Sequence, residues 1–521
     1  MSGNESLPVI LYAADVSCAE GQCDCDCACA LDLPADPPLP LASSAEGDPL
    51  ADGGEQRWVR EGELLSMPLE DGWEAVLNRA GPAGVAALNR TAIGVLDAFA
   101  QPMQPRQAIR ALPDLAPEEI GRAIGRLVRA GLLRPAEGTT LEPATQAALS
   151  AWLHLTEDCN LSCPYCYVDR GSRGMSNRVG QRAVDRLMQL AGEEGYAGLK
   201  LKYAGGEPTL RFPLIRALHE RAARGAARMG LALEEVILTN GVGLTDEMLS
   251  FVAEAGIRLM VSLDGGPASH DRLRAMPDGR STYAAVVDGV ERALERGLRP
   301  NISITLTSLN LNLNGVGQAA AFALDRELPF NLNFYRPCVA GPGGVLPSSL
   351  VPDPKRLVVR VGEILALVAR RPGYPWPLGG ILDRVQIGVP HSYPCSAGRD
   401  YLAVDTEGRL AACQMLLANP WSDLRAADPL AEVRAKGQAL FQRGLEGTAC
   451  QACPWRKACA GGCPLLRDTP LHEAYCHVYK ALLPQLIRLE VKRLIAARQG
   501  KGEQSGSAGG QSTFSVQGAN L

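Results

Sequence analysis

Thr156-Glu157-Asp158-Cys159-Asn160-Leu161-Ser162-Cys163-Pro164-Tyr165-Cys166-Tyr167 places three cysteines within eight residues, directly after the apolar run Trp152-Leu153-His154-Leu155. Such a run reads as a strand feeding a loop. Thiolates are the ligands of iron–sulfur clusters, and a four-iron cube takes four of them. Three thiolates leave one iron open, and an open position is what a catalytic metal site keeps. The same three cysteines also suit a zinc knuckle short of its fourth ligand or a small structural cluster.

Working outward, residues 151 to about 337 alternate strand and helix patterns. Strands are expected at 151–156, 199–204, 234–239, 257–263, 300–306 and 329–335, with helical periodicity between them. Val286, Val290, Ala293 and Leu294, for example, share one helix face before Gly297. Strict alternation implies parallel strands with covering helices, and function in such folds collects at the C-terminal strand ends. Tyr203-Ala204-Gly205-Gly206-Glu207-Pro208 follows the second strand, Thr239-Asn240-Gly241 the third, and Ser262-Leu263-Asp264-Gly265-Gly266 with His270, Asp271 and Arg274 the fourth. On the last two strands Asn301, Ser303, Thr305 and Thr307, then Asn331, Asn333 and Tyr335, alternate with apolar residues. Their polar face would line the interior. Arg336, ending the sixth strand, would meet either a substrate carboxylate or a structural partner.

The spacing of Cys159, Cys163 and Cys166, with the Gly-Gly-Glu-Pro turn beyond it, resembles the radical S-adenosylmethionine (SAM) superfamily. The resemblance implies a partial (β/α)6 barrel of TIM type over residues 150–340, a 4Fe–4S cluster on the three cysteines, and SAM on the open iron. There, SAM cleavage yields a 5′-deoxyadenosyl radical that abstracts hydrogen from the substrate; the cofactor carries that chemistry. It further implies Gly205, Gly206 and Glu207 at the SAM amino group, with Glu207 pairing the ammonium. From the related sulfatase-maturating enzymes it implies Tyr165, Ser262 and Arg274 as SAM contacts. Core packing is the competing reading for Tyr165.

Toward the C-terminus come Cys395, Gly408 and Cys413, then Cys450-x2-Cys453-x5-Cys459-x3-Cys463 and Cys476. This order resembles the SPASM iron–sulfur domain, over 390–480, which holds two auxiliary 4Fe–4S clusters, making three in all. The resemblance implies one cluster on Cys450, Cys453, Cys459 and Cys476, and another on Cys395, Cys413 and Cys463, one ligand short. Cys338 or His391 would complete it, or the site is open to a substrate thiolate. The residue after Cys413 is Gln414, where sulfatase-maturating enzymes have a basic Asp; an amide takes no proton at neutral pH. Zinc ribbons are the alternative use of these cysteines. Residues 341–389 read as linker and helix, 481–497 as a terminal helix, and the Gly-, Ser- and Gln-rich 498–521 as a disordered tail.

Residues 58–136 carry short strand patterns, then helical spacing at Leu88, Ile93, Leu96 and Phe99, then Pro117-Glu118-Glu119 opening a helix that Gly131 stops. Strands with three short helices resemble a winged helix, and Leu88–Asp97 with Leu127–Leu133 resembles its peptide-binding form, the RiPP recognition element. That family captures a leader peptide as an added strand. Arg122, Arg126 and Arg129 would form a basic stripe, serving a peptide, DNA or solvent. Residues 1–55, rich in Pro, Ala, Asp and Gly, read as a disordered arm. It contains Cys18, Cys23, Cys25, Cys27 and Cys29, leaving three readings: soft-metal trap, modification substrate or its mimic, and functionless tail.

The 521 residues leave room for two to four domains; 46% are apolar and 21% charged, as in soluble globular chains. A net charge of −5 argues against nucleic acid and membrane as partners. No apolar run is long enough to span a bilayer, and Leu7–Tyr12 lacks the basic flank of a signal peptide. Sixteen cysteines in short-spaced groups point to metal in a reducing cytoplasm. Taken together, the resemblances imply an oxidoreductase that matures a ribosomally made peptide by thioether or carbon–carbon cross-linking. Its partners would be a precursor whose leader binds 58–136 and an external flavodoxin- or ferredoxin-type electron donor. Maturation of a folded protein, and a non-catalytic iron–sulfur sensor that binds DNA, are the rival functions.

Overall fold

The computed structural model describes residues 7–12, 55–79, 84–137, 148–312, 314–337, 339–340, 344–345, 347–371, 373–388, 391, 393–441, 445 and 447–506. Cys338 and the Cys18–Cys29 stretch lie outside them.

The central sheet is parallel over six strands: β7 (Leu149–His154), β8 (Gly198–Ala204), β9 (Ala232–Thr239), β10 (Arg258–Ser262), β11 (Asn301–Leu306) and β12 (Phe330–Phe334). Neighbours in sequence are neighbours in the sheet, as right-handed β-α-β crossovers dictate. Its helices are α4 (Asn177–Glu193), α5 (Phe212–Met229), α6 (Asp246–Glu254), α7 (Pro267–Leu273), α8 (Tyr283–Glu295), α9 (Ser308–Asn312) and α10 (Gly315–Asp325). Starts are chemically marked: Ser176 accepts from Val179 N and Thr245 from Met248 N, each satisfying an orphan amide of the first turn. All six strands fall within two residues of their expected limits.

The sheet continues past β7, which sequence patterning did not foresee. After the two-residue pair β13 (Val339–Ala340) and β14 (Gly344–Val345) and the helix α11 (Pro354–Ala369), β15 (Tyr401–Val404) pairs parallel with β7. Then β16 (Arg409–Ala411) and β17 (Ser422–Asp423) extend it antiparallel to nine strands. The cysteine-rich region is thus hydrogen-bonded to the barrel's first strand. Strands this short carry no readable period. After α12 (Pro429–Phe441) and α13 (Arg456–Cys459), helix α14 runs Pro470–Gly506. It is longer than the expected 481–497, incorporates Cys476 and Pro484, and takes in the first part of the expected tail.

The N-terminal unit has β2 (Trp58–Arg60) paired with β6 (Leu133–Pro135), and a meander of β3 (Leu64–Pro68), β4 (Trp73–Asn78) and β5 (Val85–Asn89). Helices α1 (Arg90–Ala98), α2 (Pro105–Ala111) and α3 (Pro117–Arg129) cover one face. In α3, Ala116 N donates to Glu119 Oε2, Pro117 sits at the first turn, and the acids precede the arginines, as the helix dipole favours. Part of the expected disordered arm is ordered: β1 (Ile10–Tyr12) pairs antiparallel with β5 and forms the outer strand. The sheet's other face, with Met67, Ala75, Leu77, Val85 and Ala87, joins one apolar core with α11 and α14.

Candidate active site at the C-terminal strand ends

Cys159, Cys163 and Cys166 line one cavity of about 250 Å³ at the mouth of the barrel. Gly205, Gly206, Thr239, Asn240, Ser262, Arg274, Ser303, Thr305 and Asn333 line it too. The predicted polar face of the last two strands is therefore its wall, where Asn333 Nδ2 donates to Ser303 Oγ at 3.0 Å.

The cysteine loop is held from three sides. Ser162 N donates to Ala275 O (2.8 Å), Asn240 Nδ2 donates to Asn160 Oδ1 (2.7 Å), and Leu161 is 1% exposed. Leu161 N and Asn240 Nδ2 both point at Cys159 Sγ, at 3.4 and 3.8 Å, a geometry that favours thiolate. The tandem glycines are steric necessities. Gly205 has φ +144, and a Cβ on Gly206 would lie 2.1 Å from Asp158 O, so only glycine lets this turn lie against the cysteine loop. Burial pushes all three thiols up, Cys163 to about 12. They therefore hold protons until a cation displaces them. Among the described residues no group of three or more His, Cys, Asp or Glu side chains is placed to hold a single metal ion. Three thiols on one wall of a cavity this size fit a cluster with one open iron and a nucleoside-sized ligand.

Glu207 and Arg274 are both engaged by other groups of the chain. Glu207 does not line the cavity; it is fully buried. Its Oε1 accepts from Thr209 N, Thr209 Oγ1 and Thr239 Oγ1 at 2.7–3.1 Å, and its Oε2 from Asn240 N at 2.7 Å. Glu207 thus pins the β8 turn to the end of β9, and is not placed to pair an ammonium. Burial pushes its pKa up against the pull of those donors. Arg274 does line the cavity, but its Nε donates to Asp264 Oδ2 at 2.7 Å.

Asp264 is the residue that sequence reading passed over. It is 0% exposed, accepts from the Tyr165 hydroxyl and the Arg274 guanidinium, and takes Thr305 N on its other oxygen (2.7 Å). The Arg274 guanidinium lies 5.5 Å from the Tyr165 ring centre, within cation–π range. Tyr165 is thus a cavity wall with a fixed orientation, and it also packs edge-on against Tyr335. The only sequence signal for Asp264 was its place between Ser262 and the two glycines.

The other described cysteines line two small cavities. Cys450, Cys453, Cys459 and Cys476 line one small cavity, and Cys395, Cys413 and Cys463 another; Cys463 borders both. Burial raises Cys459 to about 12 and raises Cys476. His391 is buried but does not line the second cavity. Arg336 pairs with Asp383, the structural alternative of the two expected for it. Arg336, Gln414 and Met415 border both the barrel cavity and the Cys395 cavity.

The sequence model of the radical SAM superfamily matches residues 153–323. Residues 153–323 form a radical SAM domain. With that domain come a 4Fe–4S cluster and SAM as cofactors. PqqA peptide cyclase of Rhodopseudomonas palustris is 24% identical over 336 residues, 60% of this chain and 81% of that protein. GTP 3',8-cyclase of Mycobacterium marinum is 27% identical over 310 residues, 56% of this chain and 81% of that one. The probable GTP 3',8-cyclase of Methanopyrus kandleri is 34% identical over 162 residues, and the chain spans only 48% of it. Among solved structures, native anSMEcpe with bound AdoMet and Kp18Cys peptide superposes with TM-score 0.56 at 18% identity, covering 66% of this chain and 99% of that one. The last likeness is one of fold. No helix among the described residues is long and apolar enough to cross a membrane.

Proposed function

We propose that this radical SAM enzyme modifies a ribosomally synthesised peptide, forming a thioether or carbon–carbon cross-link. The observation that carries the reading is the shared wall of Arg336, Gln414 and Met415. It sets the barrel cavity next to the Cys395, Cys413 and Cys463 cavity. Cross-linking after hydrogen abstraction releases an electron, and an adjacent cluster is a place for it. The printed names of a relative, a peptide cyclase, and of a structural neighbour holding AdoMet and a peptide support a peptide substrate.

Cys159, Cys163 and Cys166 would hold the active-site cluster, and Gly205, Gly206, Ser262, Arg274 and Tyr165 would enclose SAM. When bound, cluster and SAM together supply a carbon-centred radical able to abstract hydrogen from an unactivated C–H bond. The chain's own residues hold and shield. The Asp264 carboxylate fixes Arg274 and Tyr165, while Asn240 and the glycine turn position the cysteine loop. Ser303, Thr305 and Asn333 offer hydrogen bonds to a polar ligand. Cys450, Cys453, Cys459 and Cys476 would hold one auxiliary cluster and Cys395, Cys413 and Cys463 a second. Gln414 accepts from Tyr401 Oη (2.8 Å) and provides no base, which separates this site from the formylglycine chemistry of sulfatase maturation.

The test is anaerobic incubation of reduced protein with SAM, with and without a precursor peptide. The reading expects 5′-deoxyadenosine in both and a mass loss of two hydrogens per link in the peptide. Deoxyadenosine without any change in candidate precursors, but with change in a folded partner, would move the substrate to folded proteins. Cys163→Ala should abolish deoxyadenosine while retaining the auxiliary iron.

A further inference from the structure

Strand β1 is an unusual member of its sheet. Residues 58–135 contain a meander and three helices, with β2 and β6 tying the ends. On this unit β5 would be an edge, and β1 covers that edge from the far side of residues 13–54. Its register is Ile10↔Leu88, Leu11↔Ala87 and Tyr12↔Ala86.

The contacts are those of a captured extended peptide. Asn89 holds the incoming backbone on both sides: Val9 N donates to Asn89 Oδ1 (2.8 Å), Asn89 Nδ2 to Leu7 O (2.7 Å), and Asn89 N to Val9 O (3.1 Å). From α3, Arg126 donates through both Nε and Nη2 to Ile10 O, at 3.0 and 2.7 Å. Only Arg122 and Arg129 of the expected stripe remain exposed. Side chains alternate into two pockets. Ile10 enters the core of Ile120, Ile124 and Leu127; Val9 and Leu11 enter the core shared with α14. Backbone bonds for affinity and alternate pockets for selectivity are the physics of strand addition.

We propose that Leu7–Tyr12 is a displaceable segment that occupies the β5 edge in cis and competes there with extended peptides in solution. The inference deepens the peptide reading above and rests on it. The strand keeps the sequence that follows, with its five cysteines from Cys18 to Cys29, attached to the enzyme. It also screens the edge from peptides in solution. A tethered segment acts at ~1 mM effective concentration. An external peptide that binds the free edge at about 1 μM would then see its affinity weakened by roughly a thousandfold.

The experiment uses the full chain with a protease site inserted after Gly47, cut after folding and purification. The probe is a labelled synthetic peptide of residues 5–16, followed by fluorescence anisotropy. The proposal expects the cut chain to release its N-terminal fragment, keep its thermal transition and bind the probe saturably. Uncut chain should bind at least a hundredfold more weakly, a probe carrying Ile10→Asp should not bind, and Arg126→Ala in the cut chain should weaken binding tenfold or more. A fragment that cannot be exchanged, a chain that unfolds on losing it, or equal binding by cut and uncut chain overturns the proposal, since each makes β1 an ordinary structural strand. The assay needs neither SAM nor reductant. Failure of SAM cleavage therefore leaves this result standing, and failure of docking leaves the chemistry standing.

Discussion

Arg274 Nε lies 2.7 Å from Asp264 Oδ2, with the carboxylate 0% exposed and the arginine side chain 11%. The pair closes one side of the barrel cavity and carries the Tyr165 hydroxyl with it. The carboxylate raises the Arg274 pKa against the cost of burial, so the guanidinium stays charged.

Breaking one partner of a buried ion pair strands the other. Asp264→Asn should therefore cost about 3–5 kcal/mol, read as a lower midpoint in denaturant. SAM affinity, measured by calorimetry on reconstituted protein, should fall as well, because Tyr165 and Arg274 lose their common anchor. Unchanged stability together with unchanged SAM affinity would show that Asp264 holds neither.

Gly206→Ala should be poorly tolerated, since its Cβ would sit 2.1 Å from Asp158 O. Backbone cannot yield as a flexible side chain does, and the strain is expected to cost about 3 kcal/mol. Loss of iron from the reconstituted protein is the measurement. Gly195→Ala, where a Cβ meets nothing within 4 Å but φ is +73, should leave iron content intact.

Glu207→Gln separates a positioning role from a direct contact. The new amide would face the Asn240 N–H or the Thr donors, and a donor left without an acceptor costs about 1–3 kcal/mol. Stability and cluster retention should both fall in the SAM-free protein. Were Glu207 a SAM ligand only, the SAM-free protein would be unaffected and binding alone would weaken.

Acid should destabilise the barrel through two buried imidazoles. His270, which accepts from Asp264 N at 3.3 Å, and His154 are both lowered from 6.5 to about 4, chiefly by burial. Between pH 6.5 and 4 the unfolded chain binds more protons, so stability falls as pH falls through that window. It is fully present above it, and each histidine contributes about 3 kcal/mol. Chemical unfolding at a series of pH values should show this slope, and His270→Gln should flatten it.

The six parallel strands and the motif at each C-terminal end were legible because period-two apolar runs, intervening helices and turn glycines are local signals. The close spacing of Cys159, Cys163 and Cys166 was equally legible, whereas the grouping of the C-terminal cysteines came only from the resemblance. Three features were not. The side chain of Glu207 was assigned to a ligand, but sequence carries no information on whether a carboxylate meets Thr209, Thr239 and Asn240 first. Asp264 has no periodic or motif signature of its own, and its role arises from the convergence of Tyr165, Arg274 and Thr305 from separate elements. The segment Leu7–Tyr12 is too short and too isolated to be read as a strand, because its partner β5 is supplied some 75 residues later.

The amino-acid order alone determined the barrel's strand sequence, the close spacing of Cys159, Cys163 and Cys166, and the glycine turn, since each follows from periodicity or backbone sterics within a few residues. Only the tertiary structure decided which charges face the cavity, that the Cys395–Cys413 region continues the barrel sheet through β15, and that the chain's own N-terminus covers β5. Those outcomes depend on long-range pairing, where a buried donor or strand edge is satisfied by whichever group the fold brings to it.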